Sequence, residues 1–260
     1  MGSTHAAPTA CGRRLRHWRQ HRGLSQLELA VRADLSQRHV SFIETGRTRP
    51  RRAAVMRLAE ALDIPLRERN VILEFAGLSP CYPEILLSSA AVASFCDAVG
   101  RLLHTHEPYP AYVLDRWWRI VDANAAGRAM LPALASGTVD VVDAFLAPGS
   151  VREVIENFAA VAWTLVSRLR REVDELGADE RLQSLLERAE RYLRDVPRTE
   201  QSANDLVVCP HLRIDGETIR TISMVARFGT AREITLDELR VELVYPADDA
   251  AEAFFRRGIG

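Results

Sequence analysis

The chain has 260 residues, 47% of them apolar, enough for one sizeable or two modest cores, with a net charge of −1. All 34 basic residues are arginine, and a chain without lysine cannot be a phosphate-loop ATPase, a Schiff-base enzyme or a self-cleaving repressor built on a Ser–Lys dyad. The charge is unevenly placed: residues 11–78 carry fourteen arginines against seven acidic side chains, or +7, so the remainder sums to −8 and only the N-terminal part is suited to phosphate.

Residues 1–10 are expected to be a disordered leader; they lack the apolar core of a signal peptide. Five helices are predicted next, near 12–22, 25–33, 36–45, 51–62 and 66–76. Ser25 with Glu28 three residues on is a capping box, and Leu27, Ala30 and Val31 give the second helix one apolar stripe. Asp34 and Leu35 make a turn, and Ser36 caps the third helix. There Val40 and Ile43 face inward while Gln37, Arg38, His39 and Ser41 are left outside, and Gly46 stops the helix. A glycine and two prolines within residues 77–83 mark a boundary, with 79–88 as linker between a domain at 11–78 and one at 89–260.

The second part opens with a helix at 89–106, followed by two short strands in 111–124 broken near Asp115 and Arg116. Asn124 caps a helix from Ala125 to Leu131, and 132–150 reads as loop with Phe145 and Leu146 buried. Residues 151–171 form an amphipathic helix with Val151, Val154, Ile155, Phe158, Val161, Ala162, Leu165 and Leu169 on one stripe. A charged helix at 179–194 is expected at the surface. Strands follow at Asp205–Ile214, Thr218–Phe228 and Leu239–Tyr245, then a helix at 248–257. In the second of these strands Ile222, Met224, Ala226 and Phe228 are expected on the buried face, with Thr221, Ser223 and Arg227 on the wet one.

The N-terminal motif resembles the helix-turn-helix of the xenobiotic-response-element (XRE, Cro/C1-like) repressor family. The likeness runs from Gly12 to Gly77 through Leu15, Arg19, Gly23, Leu24-Ser25-Gln26, Leu29-Ala30, Ile43-Glu44, Gly46-Arg47, Pro50 and Leu58 to Leu62. It implies an all-α, five-helix, lambda-repressor-like DNA-binding domain and a partly buried Arg19–Glu44 ion pair. Gln37 suits adenine and Arg38 guanine through two hydrogen bonds each, with Ser41 beside them and Ser36 at the helix start. Phe42 is either a thymine-methyl contact or core, and His39 a phosphate or water contact. Gln26 is expected at a phosphate, as are Arg47, Arg49, Arg51 and Arg52. Arg51 stands where the family usually has Ser or Thr, so the fourth helix starts less firmly.

The segments EPYPAYVLDRWWRIVDANAAG and FGTAREITLDELRVELVYPAD resemble the ligand-binding domain of MmyB-like transcription regulators, across roughly 84–252. That resemblance implies a PAS-like α+β domain with an antiparallel sheet, and a fatty-acid-like ligand in an apolar tunnel. The family's His-Pro-x-x-Gly motif is missing; only Cys209-Pro210-His211 stands there. Candidate pocket residues are Trp117, Phe145, Phe158, Trp163, Met224 and Phe228, with Arg116, Arg119 or Arg220 for a carboxylate. Trp163 is the clearest, lying off the main stripe of its helix, although a dimer or interdomain contact explains it equally; Trp117 and Trp118 are expected on opposite faces of one strand.

The expected protein is a cytoplasmic, sequence-specific transcription regulator, by family habit a repressor. It is expected to form a homodimer with double-stranded DNA and a small apolar ligand as partners, and no cofactor, metal or membrane. One alternative is a metal-responsive regulator using His104, His106, Cys209 and His211. Another is a ligand-independent DNA-binding protein. An enzyme is a third, but no Gly-rich phosphate loop, nucleophile elbow or paired catalytic carboxylates stand out. The four cysteines are scattered, which suits reduced thiols.

Overall fold

The computed structural model describes residues 9–149, 151–176, 179–198 and 208–258. The chain divides into two compact units: one runs to Ile85 and takes in Thr230–Asp237, the other holds Leu86–Gly229 and resumes at Glu238.

The first unit is built on α1 Ala10–His21, α2 Gln26–Arg32, α3 Gln37–Glu44, α4 Arg52–Ala61 and α5 Leu66–Phe75. Thr9 caps α1 by accepting from the Gly12 N–H, so the last two residues of the expected leader are structured; residues 1–8 lie outside the described residues. The Ser25–Glu28 capping box starts α2, and Ser36 caps α3 through the His39 N–H. Asp34 takes the left-handed turn between them at φ 49°, and Gly46 at φ 76° ends α3. Leu15, Trp18, Leu29, Val40, Ile43, Val55, Leu58, Ile72 and Leu73 form the core.

The apolar stripe of α2 differs from expectation. Leu29, Ala30 and Ala33 are buried, whereas Leu27 and Val31 are 56% and 74% exposed. In so short a helix both sets satisfy the three-and-four spacing, and only the packing of α2 against α3 and α4 selects one. Nor is 79–85 a free linker. Asn70 Oδ1 accepts from the Cys81 and Tyr82 N–H groups, its Nδ2 donates to the Tyr82 carbonyl, and Arg67 pairs with Glu84.

The second unit is α+β, with an antiparallel six-stranded sheet in the order β3-β2-β1-β6-β5-β4. The strands are β1 Ala111–Leu114, β2 Arg119–Ala123, β3 Val139–Asp140, β4 His211–Ile214, β5 Glu217–Ala226 and β6 Arg240–Pro246. Tyr112 of central β1 lies opposite Ala123 and Glu242. The helices are α6 Ala93–Thr105, α7 Ala125–Met130, α8 Val141–Leu146, α9 Phe158–Leu176, α10 Glu180–Tyr192 and α12 Asp249–Arg257. A short α11, Ile234–Glu238, spans the point in the chain, between Asp237 and Glu238, where the second unit resumes. One core joins Leu114, Val142, Leu146, Val166, Leu169, Leu182 and Leu185, and a smaller one joins Leu212, Ile219, Phe254 and Phe255.

Several expectations give way here. The stretch 132–149 holds β3 and α8 where loop was expected; Leu146 is buried as expected, and Phe145 is half-buried. The helix expected from 151 is interrupted: Val151–Val154 is a 3-10 turn, Ile155 bridges to Leu212, and α9 begins only at Phe158. Asn157 enforces the break by donating to the Cys209 carbonyl and accepting from the His211 N–H. The charged α10 buries Leu182, Leu185 and Ala189, so its charges mark only its outer side. The strand expected from Asp205 starts at His211; residues 205–207 lie outside the described residues. Over 221–224 the faces of β5 are inverted: Thr221 is buried, whereas Ile222 and Met224 are 43% and 57% exposed; farther on, Arg227 is exposed and Ala226 and Phe228 are half-buried, as expected.

Candidate nucleic-acid interface and effector cavity

In the first unit, one carboxylate ties three elements together. Glu44, at the end of α3 and buried, receives Arg19 Nε at 2.7 Å and Nη2 at 3.0 Å from α1, and Gln26 Nε2 at 2.8 Å from α2. Arg19 Nη1 also donates to the Leu24 carbonyl at 2.7 Å. The pairing expected of Arg19 and Glu44 is therefore present, and the amide of Gln26 serves this cluster rather than pointing outward. Gly12 lets α1 approach closely, since a Cβ there would collide with the carbonyl oxygens of Ile43 and Glu44. The orientation of α3 is thus fixed against both α1 and α2.

On the outside of α3, Gln37 and Arg38 are exposed, and His39, Ser41 and Phe42 are half-buried. Phe42 is a platform that residue spacing did not reveal: the guanidinium of Arg38 lies 5.0 Å and that of Arg47 5.8 Å from its ring centre. Arg51 is exposed at the N-cap of α4 and supplies no side-chain cap. Two other arginines expected at phosphates also have intramolecular roles. Arg49 Nε donates to the Ala76 carbonyl at 2.9 Å and Arg52 Nη2 to the Ser79 carbonyl at 2.8 Å, joining the start of α4 to the end of α5.

In the second unit, a cavity of about 210 Å³ is lined by Tyr112 and Leu114 of β1, Ile120 of β2, Phe145 of α8, and Val161, Thr164, Leu165 and Arg168 of α9. Thr221 and Ser223 of β5, Glu242 and Val244 of β6, Met130, Leu131 and Trp118 also line it. An apolar cavity of ~150 Å³ already takes up benzene. The stripe expected on the helix is thereby divided, with Ala162 and Leu169 in the core beside Val166, which that stripe left out, and Val161 and Leu165 at the cavity. The inversion of β5 has the same cause, because Thr221 and Ser223 turn toward this space. Thr221 Oγ1 is satisfied by the Pro210 carbonyl at 2.8 Å.

Among the described lining residues, one charged pair interrupts the apolar wall: Arg168 Nη2 donates to Glu242 Oε1 at 2.9 Å. Behind it Glu172 accepts from Trp118 Nε1 at 2.8 Å and from Arg240 Nη1 at 2.7 Å, and both Arg168 and Arg240 lie 4.9 Å from the Trp118 ring. Burial pushes the Arg240 guanidinium below its usual range, and Glu172 partly offsets this. Trp118 has φ 61°, an outlier for so bulky a residue, of the kind that concentrates at functional sites. The chain reverses at 116–118, so Trp117 and Trp118 do not alternate along a strand as expected.

Of the expected pocket residues only Phe145 lines this cavity. Trp117 lies under the guanidinium groups of Arg116, Arg119 and Arg181. Trp163 donates to the carbonyls of Val196 and Pro197, and Phe158 lies under Arg152. Met224 faces outward, and Phe228 packs edge-on against Phe95. Arg116, Arg119 and Arg220 are paired with Asp179 and Glu238, with Asp115, and with Asp248; the cavity's guanidinium is Arg168. Its position on the stripe side of α9, seven residues after Val161, was the sequence signal for it. His106 Nε2 is bonded to the Val244 carbonyl, and among the described residues no three His, Cys, Asp or Glu side chains are grouped to hold a metal ion. The four cysteines are unbridged, and burial pushes the Cys11 thiol up to about 11. No helix among the described residues is long and apolar enough to cross a membrane.

Comparison with known proteins is consistent with this two-part design. Residues 96–257 match a family model described as the MmyB-like transcription regulator ligand binding domain, and residues 10–71 match a helix-turn-helix domain. Among solved structures, the restriction-modification controller protein C.AhdI from Aeromonas hydrophila is 39% identical over 23% of this chain and 89% of its own, with a TM-score of 0.22. No curated protein matches.

Proposed function

The chain belongs to the MmyB-like transcription regulators, a DNA-binding helix-turn-helix joined to that family's ligand-binding domain, and from this premise we propose how it reads DNA and what it senses. Gln37, Arg38 and Ser41 read base edges in the major groove, Arg38 from a position steadied by Phe42. Arg47 and Arg51, with the N-terminus of α2 at Gln26, hold phosphates, and Ser36 and His39 flank them. Arg49 and Arg52 add positive potential while bracing α4 against α5. The observation that carries this reading is the exposed Gln37–Arg38 pair on a helix whose orientation Glu44 fixes. Binding-site selection from randomised duplexes tests it. Arg38→Ala should weaken the selected site by about 1–3 kcal/mol and relax one base position; unchanged preference would displace the reading helix.

The ligand is a small, mainly apolar molecule with one polar end, a fatty acid being the leading candidate. The apolar wall supports the chain and the Arg168–Glu242 pair the polar end. A carboxylate has to take Arg168 from Glu242, so ligand entry and rearrangement of β6 go together. Occupation acts by shifting a population rather than by catalysis. Mass spectrometry of molecules extracted from the native protein, with melting shifts on adding saturated fatty acids, tests this. The regulator acts as a homodimer, because such heads read half-sites about 34–36 Å apart, and as a repressor in the cytoplasm. Solution mass and a reporter assay test these points.

A further inference from the structure

β5 and β6 wall the cavity through Thr221, Ser223, Glu242 and Val244, yet the segment that joins them, Thr230–Asp237, is part of the DNA-binding unit. Its seat there is specific. The buried Glu233 accepts from the Ile85 N–H at 2.7 Å, and its two oxygens also take the Thr235 and Leu236 N–H groups at 2.9 and 2.8 Å. The Ile234 N–H donates to the Pro83 carbonyl at 3.0 Å, and Ile234 and Leu236 are buried. Asp237 Oδ2 accepts from the Leu66 N–H at 3.4 Å. Leu66 opens α5, whose N-cap, Pro65, supplies no side-chain bond. The segment thus gives α5 an acceptor that its own sequence does not provide.

The next residue is anchored elsewhere. Glu238 Oε1 accepts from Arg116 Nη1 at 3.2 Å within the second unit. Arg240, three positions after Asp237, holds Glu172 and the Asp115 carbonyl, and Glu172 in turn positions Trp118 in the cavity wall. Consecutive side chains Asp237 and Glu238 therefore belong to different units. Few covalent bonds separate the cap of α5 from the clamp on Trp118.

We propose that Thr230–Asp237 is a regulatory tether, which carries displacement of Trp118, Arg168 and Glu242 along β6 to Asp237 at α5 and to Glu233 at Pro83–Ile85. This rests on the cavity being the effector site. Coupling of this kind needs an element whose contacts differ between two states, and the backbone hydrogen bonds of Ile85, Ile234 and Leu66 are those contacts.

Amide hydrogen exchange on the full chain, with myristic acid as probe, tests the tether. With the cavity filled, exchange at the Leu66 and Ile85 amides should change at least about threefold. A Glu233→Ala/Asp237→Ala chain should bind the probe within about twofold of the parent but lose that distant response, and Glu233→Gln, which keeps an acceptor for Ile85, should retain much of it. Protection confined to the cavity in the parent chain, or a full response in the double variant, would overturn the tether. If myristic acid gives no protection anywhere, the fatty-acid reading fails by itself. The tether is then judged on Val161→Trp, which fills the cavity from within: the same amides should respond, and their silence would overturn it.

Discussion

Glu44 receives three hydrogen bonds from two other helices, so its removal strands a guanidinium away from water. Breaking one side of a buried pair costs about 3–5 kcal/mol, far more than an exposed pair is worth. Glu44→Ala should therefore lower the melting transition of the head by that order, and no loss in a thermal melt would refute the structural role. The pair was legible only through the resemblance, because nothing local links Arg19 to a residue 25 positions away. The platform role of Phe42 was not, because the path of Arg47 depends on the loop that follows α3. Arg49 and Arg52 looked like free phosphate ligands for a similar reason: the Ala76 and Ser79 carbonyls they reach are 27 positions away.

Helix starts are chemical signals confined to four residues, which is why Ser25–Glu28 and Ser36 could be placed from the sequence. The same logic makes Arg51 informative. It begins α4 without a side-chain cap, so Arg51→Ser should stabilise the head by about 1 kcal/mol. If Arg51 also meets a phosphate, the same change should lower the slope of log affinity against log salt by about one. A melt and a salt titration separate the two effects, and a lowered melting temperature would contradict the capping argument. Faces of elements were less secure than their starts. In α2 and β5 the period was real, but its inward phase was wrong at Leu27, Val31, Ile222 and Met224, while Ala30 is buried as expected. Periodicity fixes which residues share a face; the neighbour decides which face is buried.

At the scale of the whole molecule, the two units carry different chemistry. An exposed guanidinium-rich surface suits a duplex, and a mostly apolar cavity with a single ion pair suits a small molecule. Arg168→Ala removes a charge-assisted bond worth about 1.5–3 kcal/mol, so a carboxylate-bearing ligand should lose roughly 10- to 100-fold in affinity. Calorimetry on the extracted ligand checks this, and unaltered affinity would leave the acyl chain as the sole anchor. The sequence by itself determined the head, the α+β class of the body and the charge division between them, because caps, periodicity and composition act over a few residues. Only the tertiary structure decided which side chains enclose the cavity, which way β5 faces, and that residues 230–237 fold with the head. Those outcomes depend on contacts between segments as many as 171 positions apart, as at Leu66 and Asp237, and no local pattern encodes them.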